Sequence, residues 1–226
     1  MSAVVGGPTR DRVYAYVRDR ILSEEYRSGS FLEEEQVSEA VGVSRTPVRE
    51  AFHRLAAERF IELLPRRGAL VRGVTVQELI DMYETRRVLE TYAARRVCAE
   101  ALAVPDVMDT LLDEMRQISA KESLRIAELN RQFHRAMVGA LGNEVLTDSY
   151  DSLKSRQQRV AISAIKANPA RLPLIHIEHT ELVTALKHGD GDRAAAILDA
   201  HLRPVLEVVT HLATVGAPGL RLDGKV

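Results

Sequence analysis

The chain reads as mainly α in two parts, a winged helix-turn-helix at the amino-terminal end and an all-α antiparallel helical bundle behind it. Three observations carry this reading. Val48, Ala51, Phe52, Leu55 and Ala56 recur at i, i+3, i+4, i+7 and i+8, which lays one apolar stripe along a helix. Just upstream, Val37, Ala40 and Val41 form a shorter stripe that stops at Gly42, two residues before Ser44, so a brief Gly-containing turn joins two short helices. Strand-like runs are confined to 61–64 and 69–72, either side of the basic turn Pro65-Arg66-Arg67-Gly68, and the pattern beyond them is helical.

Composition suits this architecture. With 226 residues, 46% hydrophobic and 28% charged, the chain is long enough for two small globular domains. The expected boundaries are a flexible tail over 1–8, a DNA-binding domain over 9–74, a helical domain over 75–214 and a second tail over 215–226. A net charge of -1 argues against a chain that is basic throughout. Between Ser44 and Arg72, however, seven arginines face three acids (Glu50, Glu58 and Glu62), so the local balance is +4 where nucleic acid would be met. One cysteine, Cys98, leaves no internal disulfide to form and reads as a core filler. No apolar run reaches membrane-spanning length, and a cytoplasmic location without membrane contact is expected.

In chain order, Thr9 is the expected cap of a helix running to about Glu25, with Val13, Val17 and Ile21 inward. Residues 26–32 turn at Gly29. In the helix after Gly42, Pro47 is tolerated only in the first turn, so Ser44 or Thr46 caps it. Arg45 and Arg49, one turn apart, then lie on the face opposite the apolar stripe and near the end that meets base edges. An amphipathic helix with solvated arginines has the same pattern; the flanking turn and wing separate the two readings. Arg66 and Arg67 in the wing turn are expected to touch phosphates. Thr75-Val76-Gln77-Glu78 has the capping-box form and opens a long helix through Leu79, Met82, Leu89 and Ala93. Further helices are expected over 105–118, 123–141, 144–165, 170–188 and 191–213.

The run Gly42-Val43-Ser44-Arg45-Thr46-Pro47-Val48-Arg49-Glu50-Ala51, followed by Pro65 to Gly68, resembles the DNA-binding domain of the GntR family of bacterial transcription regulators. The resemblance implies that Arg45, Thr46 and Arg49, next to the capping Ser44, contact the operator and that Gly68 approaches the minor groove at the wing tip. The chain departs from the family in two places. Glu33, Glu34 and Glu35 stand where some members carry a basic residue, and Arg59 stands where Gly usually follows the recognition helix.

Six of the seven histidines lie in the second part. Asn130 and His134 are one turn apart and share a face. His179 and His201 lie about 15 and 18 Å from the Gly189 turn along adjacent helices at about 1.5 Å per residue, so their rings can sit at one level. Spacing alone leaves two readings open: separately satisfied polar residues, or imidazoles converging on one point in the bundle. Arg86-Arg87-Val88-Leu89-Glu90, Leu129-Asn130-Arg131-Gln132-Phe133-His134 and Glu178-His179 with His201-Leu202 resemble the FCD class of GntR regulators. That resemblance implies a divalent metal held by Asn130, His134, His179 and His201, zinc first with nickel or manganese as alternatives, and a small carboxylate effector completing the shell. Asn130 supplies a neutral carbonyl where many members supply Asp, which leaves the shell more positive. Arg86 is either a second anchor for the carboxylate or the partner of Glu90. His53, His176, His188 and His211 match no motif position and are read as bland.

The expected function is a homodimeric, effector-responsive DNA-binding regulator, a repressor in most of this family, on a palindromic double-stranded operator. A short helix reads only a few base pairs, so paired half-sites are needed for specificity. Two alternatives remain: the same regulator with a purely structural metal, and a metal-dependent hydrolase, against which stands the lack of an H-E-x-x-H pattern.

Overall fold

The computed structural model describes residues 8–65 and 68–215, and the chain folds as two compact units, one reaching to Gly73, the other Val74–Ala213. The expected tails over 1–7 and 216–226 and the arginines Arg66 and Arg67 lie outside the described residues.

In the first unit, α1 (Thr9–Leu22) ends earlier than its apolar period suggests, and its Val13, Val17 and Ile21 are buried. Next come β1 (Phe31–Leu32), α2 (Glu34–Val41), α3 (Arg45–Ala57), β2 (Ile61–Leu64) and β3 (Gly68–Val71). Helix α2 stops because Gly42 takes the left-handed conformation, φ 69°, that glycine adopts without steric penalty. Of its stripe only Val37 is fully buried, whereas Ala40 is exposed. Helix α3 starts from an extended Ser44 and carries Pro47 in its first turn. Val48, Ala51, Phe52 and Leu55 go inward, as their spacing requires. Its end is a left-handed Arg59, φ 63°, whose following residue Phe60 donates back to Leu55 O; a non-glycine residue here costs about 1 kcal/mol. The sheet has three strands rather than two, in the order β1-β3-β2, because Leu32 pairs with Ala69 while Leu64 pairs with Gly68 across the antiparallel wing.

The second unit is built around α4 (Val76–Ala99), whose Thr75 cap accepts from Glu78 N at 3.0 Å. The remaining half of the capping box is not made. Glu78 Oε1 instead accepts from Arg159 Nη1 at 3.3 Å. Around α4 stand α5 (Val107–Gln117), α6 (Ser123–Gly139), α7 (Glu144–Asp151), α8 (Lys154–Ala167), a 3-10 turn Pro169–Arg171, α9 (Leu172–Lys187), α10 (Gly191–His201) and α11 (Leu206–Val215). Two helices expected to be continuous are broken. The 144–165 helix divides at Ser152-Leu153, where Leu153 N donates to Tyr150 O in a tight turn. The 191–213 helix divides after His201, and Pro204, which lacks an N–H, holds the break. The core joins Val97, Met108, Met115, Leu129, Phe133, Met137, Leu182, Leu186 and Leu198. No helix among the described residues is long and apolar enough to cross a membrane.

Candidate functional site

Each unit presents a candidate site. In the first, α2, α3 and the wing line a groove that contains Arg45, Arg49, His53, Pro65 and Gly68, together with Glu33, Glu34 and Glu35. Arg45 and Arg49 are solvent-exposed but engaged: Arg45 Nη2 donates to Glu35 Oε1 at 2.5 Å, and Arg49 Nε to Glu34 Oε2 at 2.7 Å. Arg54 belongs to another face, where it bridges Asp11 and Glu58 and covers the ring of Tyr14. Counting charges over 44–72 therefore overstates the positive charge of the groove, since the acids that balance it come from α2. Ser44 and Thr46 are exposed beside Arg45, and Ser44 makes no side-chain cap bond. Gly68 has a structural reason to be glycine: at φ 87° a Cβ would stand 2.4 Å from Leu32 O. His53, set aside by motif matching, lines the same groove.

In the second unit, α6, α9 and α10 bring His134, His179 and His201 together, with one ligating atom of each within 4.8 Å of the others. His134 Nε2 and His179 Nε2 are 3.2 Å apart. Phe133 stacks on His179 with ring centroids 4.4 Å apart, which fixes that ring. His201 Nδ1 is bound to Glu178 Oε2 at 2.7 Å, leaving its Nε2 to face inward. His134 Nδ1 lies 2.8 Å from Glu90 Oε2, a close charge-assisted contact although the two atoms are poorly aligned for a hydrogen bond. A carboxylate behind Nδ1 keeps the proton on that nitrogen and the Nε2 lone pair free, as supporting carboxylates do for metal-bound histidines.

Glu90 is also the hub of a buried network. Its Oε1 accepts from Arg86 Nε at 2.6 Å and from Tyr150 OH at 3.0 Å. Burial would raise the Glu90 carboxyl, but Arg86 and His134 outweigh it and hold the group well below the usual carboxylate range. Burial pushes His134 down to about 4 despite Glu90, and holds His179 well below its ordinary value, helped by the neighbouring imidazoles. Both rings are therefore neutral near pH 7, the form that ligates a metal.

The donor set fits a divalent transition metal. Metal–nitrogen bonds of about 2.0–2.1 Å in a tetrahedron put ligating nitrogens about 3.3 Å apart, close to the His134–His179 separation; the widest separation in the trio must shorten by more than an ångström. Asn130, one turn before His134, lines the cavity that His201 and Arg86 also line. Arg86 is paired with Glu90, the second of its two expected roles, while its Nη2 is buried without a partner. Two further cavity residues were missed by motif matching, Arg171 and His176. His176 precedes His179 by three residues and so shares its face, a signal present in the spacing; nothing local to Arg171 points to the cavity.

Comparison with known proteins places both units. The profile described as "Bacterial regulatory proteins, gntR family" matches residues 9–71 and that of the FCD domain matches residues 81–204. The Nta operon transcriptional regulator of Aminobacter aminovorans is 31% identical over 202 residues, covering 85% of this chain and 92% of that protein. The HTH-type transcriptional repressor RspR of Escherichia coli K12 is 27% identical, covering 91% and 90% respectively. A crystal structure described as a GntR transcriptional regulator from Rhodococcus sp. RHA1 shares the fold at a TM-score of 0.72, 24% identity and coverage of 91% and 96%.

Proposed function

Because the chain belongs to the gntR family of bacterial regulatory proteins, with an FCD domain behind its DNA-binding unit, we propose that it is a homodimeric transcription repressor whose operator affinity is set by a small carboxylate bound at a metal centre in the helical unit. The family and these relatives are transcription regulators rather than enzymes. One of them carries the name of a repressor, which supports that sign of regulation here.

In this reading Arg45 and Arg49 read base edges, Ser44, Thr46 and Gly68 position the helix and wing, and Arg66 and Arg67 contact phosphates. Arg45 and Arg49 must leave Glu35 and Glu34 to do so, which makes the bases or phosphates of the operator the replacement acceptors. His134, His179 and His201, with the Asn130 carbonyl, hold the divalent ion, zinc, nickel or manganese by ligand type. Such an ion supplies Lewis-acid attraction for a carboxylate. Glu90 and Glu178 orient the imidazoles, and Arg86 presents its unpartnered Nη2 to the bound anion.

The observation that carries the metal reading is the convergence of three imidazoles, two of them backed by carboxylates. The test is zinc content and operator binding, by elemental analysis and fluorescence anisotropy, for the full chain and for His201→Ala. His201→Ala should lose metal and the response to added carboxylate together, yet bind operator as before. Equal metal content in the two proteins, or no metal in either after loading at neutral pH, refutes the assignment.

A further inference from the structure

The cavity beside the three histidines has features that the metal does not use. Arg86 from α4, Asn130 from α6, Gln157 from α8, Arg171 from the 3-10 turn, and His176 and His201 from α9 and α10 line it, against walls that include Met115, Val160 and Leu172. Four nitrogens of these residues are buried without any partner: Arg86 Nη2, Gln157 Nε2, Arg171 Nε and His176 Nε2. Two of them belong to guanidiniums, whose N–H groups can only donate, so the cavity lacks acceptors on two sides. Arg86 spends its Nε on Glu90, and Arg171 reaches Glu178 only loosely, Nη2 to Oε1 at 3.8 Å. Since Glu178 is the carboxylate bound to His201, the Arg171 guanidinium stands beside the histidine cluster rather than at a distant end.

Charge decides which ligand suits these donors. Arg86 and Arg171 are balanced by Glu90 and Glu178, and the neighbouring Arg159–Glu78 pair balances itself. Imidazole ligates a metal only in its neutral form, and Asn130 adds no charge. A divalent ion therefore leaves the site two positive charges in excess, where an Asp at 130 would leave one. A monocarboxylate neutralises half of that excess; a dianion neutralises all of it, and its second carboxylate supplies the acceptors that Arg86 and Arg171 lack. Size narrows the class. The cavity volume is about 70 Å³, and at roughly 10–15 Å³ for each water-sized group this is room for about five to seven non-hydrogen atoms.

Resting on the metal-centred reading above, we propose that the effector is a short-chain dicarboxylate and that Arg171, with Arg86, receives its second carboxylate and sets selectivity against monocarboxylates.

Calorimetric titration of the zinc-loaded full chain with malonate, against propionate and butyrate, tests this. Malonate should bind about tenfold or more tighter than the monocarboxylates, the scale of one added charge-assisted anchor. Arg171→Gln should remove that preference while leaving zinc content and monocarboxylate affinity unchanged, and Asn130→Asp should reduce it. Monocarboxylates binding as tightly as dicarboxylates to the zinc-loaded wild-type chain would overturn the proposal yet leave the metal-centred reading in place; so would an equal loss of both classes in Arg171→Gln. A chain that holds zinc in neither form and binds no acid defeats both readings. The wild-type comparison alone decides the matter if Arg171→Gln does not fold.

Discussion

Removing the carboxylate of Glu90 tests how the helical unit tolerates so much buried charge. Glu90 is fully buried, and Arg86, 6% exposed, pairs with no other anion among the described residues. Glu90→Ala strands that guanidinium, a change that costs about 3–5 kcal/mol when one member of a buried pair is lost. It also frees Tyr150 OH, for which an unmade buried hydrogen bond adds about 1–3 kcal/mol; because both groups share one acceptor atom, the two effects overlap and a total near 5 kcal/mol is expected. At about 2–4 °C per kcal/mol for a domain of this size, the melting transition of the helical unit should fall by roughly 10–20 °C. Differential scanning calorimetry of the metal-free protein, paired with circular dichroism, measures it. The double variant Arg86→Met with Glu90→Leu removes both charges at once and should be clearly more stable than Glu90→Ala alone. A single variant that melts within a few degrees of the wild type, or a double variant that is the less stable of the two, would show that Arg86 finds water or another anion and that its pairing with Glu90 is not what makes the loss of Glu90 costly.

The wing offers a local test: Gly68→Ala puts a methyl 2.4 Å from Leu32 O at φ 87°, so β1 must detach or shift, and a loss of about 2 kcal/mol in urea denaturation with weaker operator binding is expected. On the DNA face, Glu35→Gln frees Arg45 from an exposed ion pair worth about 0.2–1 kcal/mol, so affinity for non-operator DNA should rise by up to about fivefold, with a steeper salt dependence in anisotropy titrations; unchanged affinity would mean that the pair does not compete with DNA. For pH, His134 is neutral in both folded and unfolded chains above its ordinary value near 6.5; below that the unfolded chain takes the proton while the folded chain refuses it until about 4. Metal-free stability should therefore decline between about pH 6.5 and 4, by up to roughly 3 kcal/mol for this ring, and His134→Gln should flatten that decline in denaturation curves taken across the window.

The parts that were legible beforehand are those whose cause lies within one helical turn or one short turn. Val48, Ala51, Phe52 and Leu55 had to share a buried face because 3.6 residues make a turn, Gly42 had to end α2, and Thr75 had to cap α4. Pro204 is a signal of the same class, and the expected helix over 191–213 takes no account of it. The pairing of Leu32 with Ala69 was not local: a two-residue strand has no period of its own and forms only once the wing presents an edge. The same holds for chemistry. Resemblance and spacing singled out His134, His179 and His201, but their carboxylate supports, the acids that occupy Arg45 and Arg49, and the arrival of Arg171 and His176 at one cavity depend on how separate elements pack. Side-chain neighbours beyond i±4 are fixed by helix crossings and registers, which arise from the whole core and are written in no single stretch of the chain.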